Sequence, residues 1–157
     1  MSDYPKMLIY EEKKFTYWVL VFIPFILGAM VFLLNVMIKD EIWILILPLI
    51  FMLFASFFMY NLAFYSIKIF DDKTLQFGFP NWYISLLPHE IKLIEQTGAY
   101  RPIRDFGGLG WRLGRKDGNW KFGYLVWLQK GIEIETTKER HYVFGTDNPD
   151  EILSLIR

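Results

Sequence analysis

Imidazole and thiol chemistry is scarce in this chain: it has two histidines, His89 and His141, and no cysteine. The missing thiols exclude disulfides, thiolate metal sites, iron–sulfur clusters and cysteine nucleophiles. A metal centre needs more ligands than two imidazoles far apart in sequence, with no clear carboxylate partner, can supply. Glu133 and Glu135 sit two apart on one face of a strand-like stretch. Solvated strand faces carry the same pattern, and no acid–base chemistry follows from it. Gly107-Gly108-Leu109-Gly110-Trp111-Arg112 is glycine-rich and ends in a cation, as a phosphate cradle would. Its spacing fits neither a P-loop nor a dinucleotide fingerprint, and no helix begins after it. A turn or strand bulge, where glycine permits positive φ or close backbone approach, is the preferred reading over anion binding. The sequence therefore predicts no catalytic residues, no metal and no cofactor.

Charge is more informative. The 17 Lys and Arg cancel the 17 Asp and Glu over the whole chain, without the basic surplus of a nucleic-acid binder. Between Arg101 and Lys121, however, six cations (Arg101, Arg104, Arg112, Arg115, Lys116 and Lys121) face only Asp105 and Asp117. From Gly131 to Arg157 three cations face six anions. The six cations are candidate contacts for anionic lipid headgroups, each contributing about 1 kcal/mol within a Debye length of roughly 8 Å. An ordinarily solvated hairpin is the competing reading.

What would position such contacts is an apolar excess: 54% of the residues are hydrophobic. From Phe15 to Ile38 there are 24 residues without a charge, and from Ile42 to Ile67 there are 26. A helix needs about 20 to cross a bilayer. A cleaved signal peptide fits badly, because the first block is long and a second follows at once. Only Lys39, Asp40 and Glu41 separate the blocks, so the helices are expected to run antiparallel. Lys6, Lys13 and Lys14 before the pair and Lys68 and Lys73 after it, against Lys39 in the turn, place both chain ends in the cytoplasm. Gly28 and Ala29 in the first span should meet Ala55 and Ser56 in the second, where small side chains let backbones approach. Pro24 and Pro48 should kink or weaken their helices. No Asp, Glu, Lys, Arg or His lies within the spans, which argues against a proton relay or charged-ion pathway.

The rest reads as strands. Ile67 and Ile69 alternate with Lys68, and Leu75, Phe77 and Phe79 follow an Asp71-Asp72-Lys73 turn. Further candidates are Trp82 to Leu86, Glu90 to Gln96 beyond Pro88, Gly110 to Arg115, and Phe122 to Leu128 across a Lys116-Asp117-Gly118-Asn119 turn. Gly131 to Thr137 and Arg140 to Phe144 complete about seven. Asn148 then caps a short helix starting at Pro149, with Asp150 and Glu151 in its first turn and an apolar face of Ile152, Leu153, Leu155 and Ile156.

Two membrane helices leading into such strands, with Tyr65-Ser66-Ile67-Lys68-Ile69, Gly131-Ile132-Glu133-Ile134-Glu135 and Thr146-Asp147-Asn148-Pro149-Asp150-Glu151-Ile152, resemble bacterial membrane proteins with a pleckstrin-homology-like (PH-like) domain. The resemblance implies an α+β membrane protein: a two-helix transmembrane hairpin, then a small antiparallel PH-like β-barrel capped by the C-terminal helix. It carries over no catalytic residues. Inositide binding is disfavoured, because the first hairpin turn holds Asp71 and Asp72 where basic residues would be needed. The expected divisions are a cytoplasmic segment over 1–14, spans over 15–38 and 42–65, an external turn over 39–41 and a cytoplasmic domain over 66–157. The expected function is a non-enzymatic module in the cell's inner membrane. Its partners would be the lipid bilayer with its anionic headgroups, a membrane or cytoplasmic protein, or its own copies, but no nucleic acid. An accessory subunit of a transport or channel complex is the alternative. An enzyme acting on lipid is a third class, lacking convergent titratable groups in the sequence.

Overall fold

A computed structural model describes residues 6–40, 45–98, 106, 110–116, 119–126 and 130–157. The chain is α+β and divides into two compact units, Phe15–Phe64 and the strand-rich remainder.

The first unit is a pair of apolar helices, α1 (Trp18–Asp40) and α2 (Ile46–Ala63), packed on each other. Both are long and apolar enough to cross a membrane. Beneath them the Thr16 N–H donates to the Ala63 carbonyl at 2.8 Å, and the Phe15 and Phe64 rings meet edge to face. Helix α2 starts later than the expected residue 42, and Pro48 lies in its first turn. There a missing N–H costs nothing, since the first four amides have no partner within the helix. Pro48 therefore sits at a helix start instead of kinking a span. Pro24 does lie inside α1. Lys39 and Asp40 belong to the end of α1, and Glu41 is outside the described residues.

Among the described residues the second unit has nine strands in two sheets. The four-stranded sheet has the order β1-β2-β3-β4: β1 (Leu8–Phe15), β2 (Phe64–Phe70), β3 (Leu75–Phe79) and β4 (Trp82–Leu86). The five-stranded sheet has the order β5-β8-β9-β7-β6: β5 (Ile91–Thr97), β6 (Gly110–Lys116), β7 (Asn119–Leu125), β8 (Lys130–Thr136) and β9 (His141–Thr146).

Three expectations need correction. The expected set of about seven strands, all after the helices, omitted the edge strand β1 that lies before the first helix. Strands β7 and β9 pair in parallel, with Phe122 opposite Tyr142, so the five-stranded sheet is mixed. No barrel closes among the described residues. Pro88, which has no N–H for a ladder, opens a short 3₁₀ turn (Pro88–Glu90) where the chain leaves one sheet for the other.

The core lies between the sheets. Phe77 is fully buried, stacks on Phe144 with ring centroids 4.5 Å apart, and meets Tyr124 edge to face at 5.3 Å. The C-terminal helix α3 (Pro149–Ile156) buries Pro149, Ile152, Leu153 and Ile156 and packs on β5 and β8. Asn148 occupies its N-cap position, but its side chain makes no capping hydrogen bond. The Asn148 backbone N–H donates to the Thr146 hydroxyl at 3.1 Å.

Candidate functional site

Along the helix pair the half-buried positions of α1 are Ile26, Ala29, Met30, Leu33, Val36 and Met37, the 3–4 spacing of one helical face. Ala29, Ala55 and Ser56 belong to such half-buried rows. Gly28 does not. It is exposed, and a Cβ added to it would meet nothing within 4 Å. Its expected approach to Ala55 is thereby overturned, because Gly28 lies about 100° around the helix from Ala29. An apolar groove of about 390 Å³ runs between the helices, and Ser56 is its one hydroxyl-bearing aliphatic side chain. That hydroxyl donates to the Met52 carbonyl of its own helix. Asn35 and Asn61 likewise donate to the carbonyls of Val31 and Phe57. Asn35, Ser56 and Asn61 thus each donate to a carbonyl of their own helix.

Of the six candidate headgroup cations, Arg101 and Arg104 lie outside the described residues. Arg112 is exposed on β6, opposite Gly123 of β7. Arg115 and Lys116, of which only the backbone is described, pair with Trp120 and Asn119 at the far end of that hairpin. Asp117 and Gly118 of the expected turn lie outside the described residues. Lys121 is removed from the set. It is 5% exposed, and its ammonium donates to Glu133 Oε1 at 2.5 Å. Alternation along β7 turns it to the sheet face that β8 supplies with carboxylates, away from solvent. His141 Nδ1 lies 3.8 Å from the same oxygen.

Three residues that sequence reasoning kept apart therefore converge on one sheet face. No sequence signal announced this, since the parallel β7–β9 pairing that sets Lys121 beside His141 is non-local. Glu135, on the same face, pairs with Lys92. This lowers the Glu135 carboxyl and raises the Lys92 ammonium from their ordinary values. His89 is exposed in the 3₁₀ turn, and no cluster of three or more metal-ligating side chains occurs among the described residues. Of the glycine-rich stretch, Gly107, Gly108 and Leu109 lie outside the described residues. Gly110 opens β6 with φ +90°, the left-handed geometry that glycine adopts without strain.

Near the start of the second unit, Glu12 accepts hydrogen bonds from the hydroxyls of Tyr10 and Thr146 and from the Asp147 N–H. Lys14 pairs with Asp147. This ties β1 to the corner between β9 and α3. The buried Tyr65 hydroxyl has no hydrogen-bond partner among the described residues, and burial together with the Glu12 charge pushes its pKa well above the ordinary value.

The feature that sequence reasoning missed is apolar. Trp111, Leu113 and Trp120 are 48%, 49% and 59% exposed on the β6–β7 hairpin. The register sets Trp111 opposite Tyr124, Leu113 opposite Phe122 and Arg115 opposite Trp120. Alternation then puts all three apolar side chains on the face that carries Tyr124 into the core. The Tyr124 hydroxyl, on the residue opposite Trp111, has its pKa pushed up to about 12, chiefly by burial. The signal was the Trp111-Arg112-Leu113 alternation, which the glycine-rich reading of the same stretch obscured. Against these features stands an empty comparison: no family model, no curated protein and no solved structure matches the chain.

Proposed function

We propose that this chain is an integral protein of the cell's inner membrane. Helices α1 and α2 cross the bilayer as a hairpin with both chain ends in the cytoplasm. The strand-rich unit works there as a non-enzymatic binding or assembly module. The observation that carries the reading is the exposure of the helices. The most apolar window of α1, Val21–Lys39, has none of its residues buried, and that of α2, Ile46–Ala63, has 22%. Core helices of a water-soluble protein would bury such surface, because exposed apolar area is unfavourable at roughly 25 cal/mol per Å². In hydrocarbon the same surface is at home. Restricting the module to a leaflet raises its effective concentration for lipids, proteins or other copies. Kinship with PH-like modules rests on the run of hairpin strands closed by the Asn148-Pro149 helix. The two separate sheets and the parallel β7–β9 pair depart from it.

The test is fractionation of the full chain together with topology reporters fused after Arg157. The reading expects a protein that resists carbonate extraction, needs detergent for solubility, and carries a fluorescent cytoplasmic reporter with an inactive periplasmic phosphatase. A freely soluble chain or an active phosphatase fusion overturns it.

A further inference from the structure

We propose that the β6–β7 hairpin is a second membrane contact, with Trp111, Leu113 and Trp120 entering the headgroup–acyl boundary of an anionic leaflet. The inference rests on the reading of α1 and α2 as membrane spans.

Three observations carry it. The three exposed side chains form a stripe along one face of the hairpin, because the register puts Trp111, Leu113 and Trp120 on the same side. One end of the stripe adjoins the core: Trp111 stands opposite the buried Tyr124 in the register, and the Tyr124 ring meets Phe77 edge to face. A tryptophan so placed is partly ordered before it meets a partner, which lowers the entropic cost of contact. Finally, the hairpin is rich in cations. Arg112 is exposed on the opposite face, and Arg115 and Lys116 end β6, against Asp117 as the lone anion between residues 106 and 121.

Indole rings beside arginine and lysine suit the bilayer interface, where the ring meets acyl carbons and the cations meet lipid phosphates. The loss of Lys121 from the basic set shifts weight from charge to these aromatics. A purely protein partner would have no use for a surplus of cations around the turn unless it were acidic. An anionic leaflet is already at hand for a chain tethered to it.

The chain has no native cysteine, so single labels can be placed cleanly. Leu113→Cys, Phe32→Cys on the exposed side of α1 and Ser154→Cys on the exposed side of α3 each receive an environment-sensitive fluorophore. The full chain is then placed in nanodiscs of phosphatidylcholine with or without phosphatidylserine. Brominated lipids and aqueous iodide serve as quenchers.

The proposal expects bromolipid quenching at 113 that increases with phosphatidylserine, iodide access at 154, and bromolipid quenching at 32 throughout. Changing Trp111 and Trp120 together to Ser should cut the quenching at 113 by about twofold or more. The proposal fails alone if 32 is quenched by lipid while 113 stays open to iodide, or is shielded without lipid quenching as a protein contact would shield it. If 32 is not quenched either, the membrane reading itself fails and takes this one with it.

Discussion

Lys121 Nζ lies 2.5 Å from Glu133 Oε1 although the strands that bear them, β7 and β8, are separated by β9. The pair thus bridges three strands on a face where Lys121 is nearly sealed from water. Removing one partner strands a buried charge, whereas replacing both with apolar groups does not. Lys121→Ala should cost about 2–4 kcal/mol. Lys121→Met combined with Glu133→Leu should cost well under half of that. Denaturant unfolding of the full chain in detergent, followed by tryptophan fluorescence, measures both.

The local rules of the sequence reached as far as adjacent strands. The β2–β3 hairpin, the break at Pro88, the β6–β7 pair and the Pro149 helix were legible because each is written in neighbouring residues: alternation, a turn signal, a missing N–H, an acidic first turn. Strand β1 was not legible, because Glu11-Glu12-Lys13-Lys14 reads as solvated charge. In the sheet Glu11 faces Lys13 and Lys68 at the edge, while Glu12 turns inward to Thr146. Edge strands tolerate such charge and are the hardest to recognise. The insertion of β9 between β8 and β7 was equally hidden, since nothing in residues 141–146 states which partners they take. For the same reason Lys121 looked like a surface cation, and Gly28 looked like a packing residue by its size alone.

Gly78 is held by backbone crowding. It has φ +137°, and a Cβ there would come within 2.5 Å of the Trp82 carbonyl oxygen and 2.7 Å of Tyr83 Cα, both on the paired strand β4. Neither atom can rotate away. Gly78→Ala should therefore cost about 2 kcal/mol or more. Gly98→Ala, where an added Cβ meets nothing within 4 Å, should stay within about 0.5 kcal/mol of the parent. Parallel melting curves compare them.

Asp72 supplies a pH signature. Its carboxylate accepts from the Lys6 ammonium at 2.7 Å and from the Thr74 N–H. Hydrogen bonding to Lys6, then to Thr74, pulls its pKa down from 3.8 to about 2. A depressed folded-state pKa means the contribution is complete above 3.8 and is lost as the pH falls toward about 2. Hydrogen exchange of the Asp71 amide, which donates to the Met7 carbonyl, should be slower in the parent than in Asp72→Asn at pH 5. The difference should shrink as the pH falls from 3.8 and disappear below about 2.

On α3, Ile152 is fully buried while Ser154 is exposed two positions away. Ile152→Ala should cost about 2–4 kcal/mol through the cavity it leaves, whereas Ser154→Ala should be neutral within about 0.5 kcal/mol. Thermal unfolding of the two variants in the same detergent separates packing of the helix from its mere presence.

In the five-stranded sheet the middle position belongs to β9, the last of the five to leave the ribosome. Until residues 141–146 emerge, β5 with β8 and β6 with β7 are two unconnected pairs, each offering a bare strand edge to its neighbours. The sheet is therefore finished from its centre, only after all four of the other strands have been made. A nascent chain stalled before His141 would carry two sticky ribbons in place of the five-stranded sheet, and it would be a natural client for chaperones.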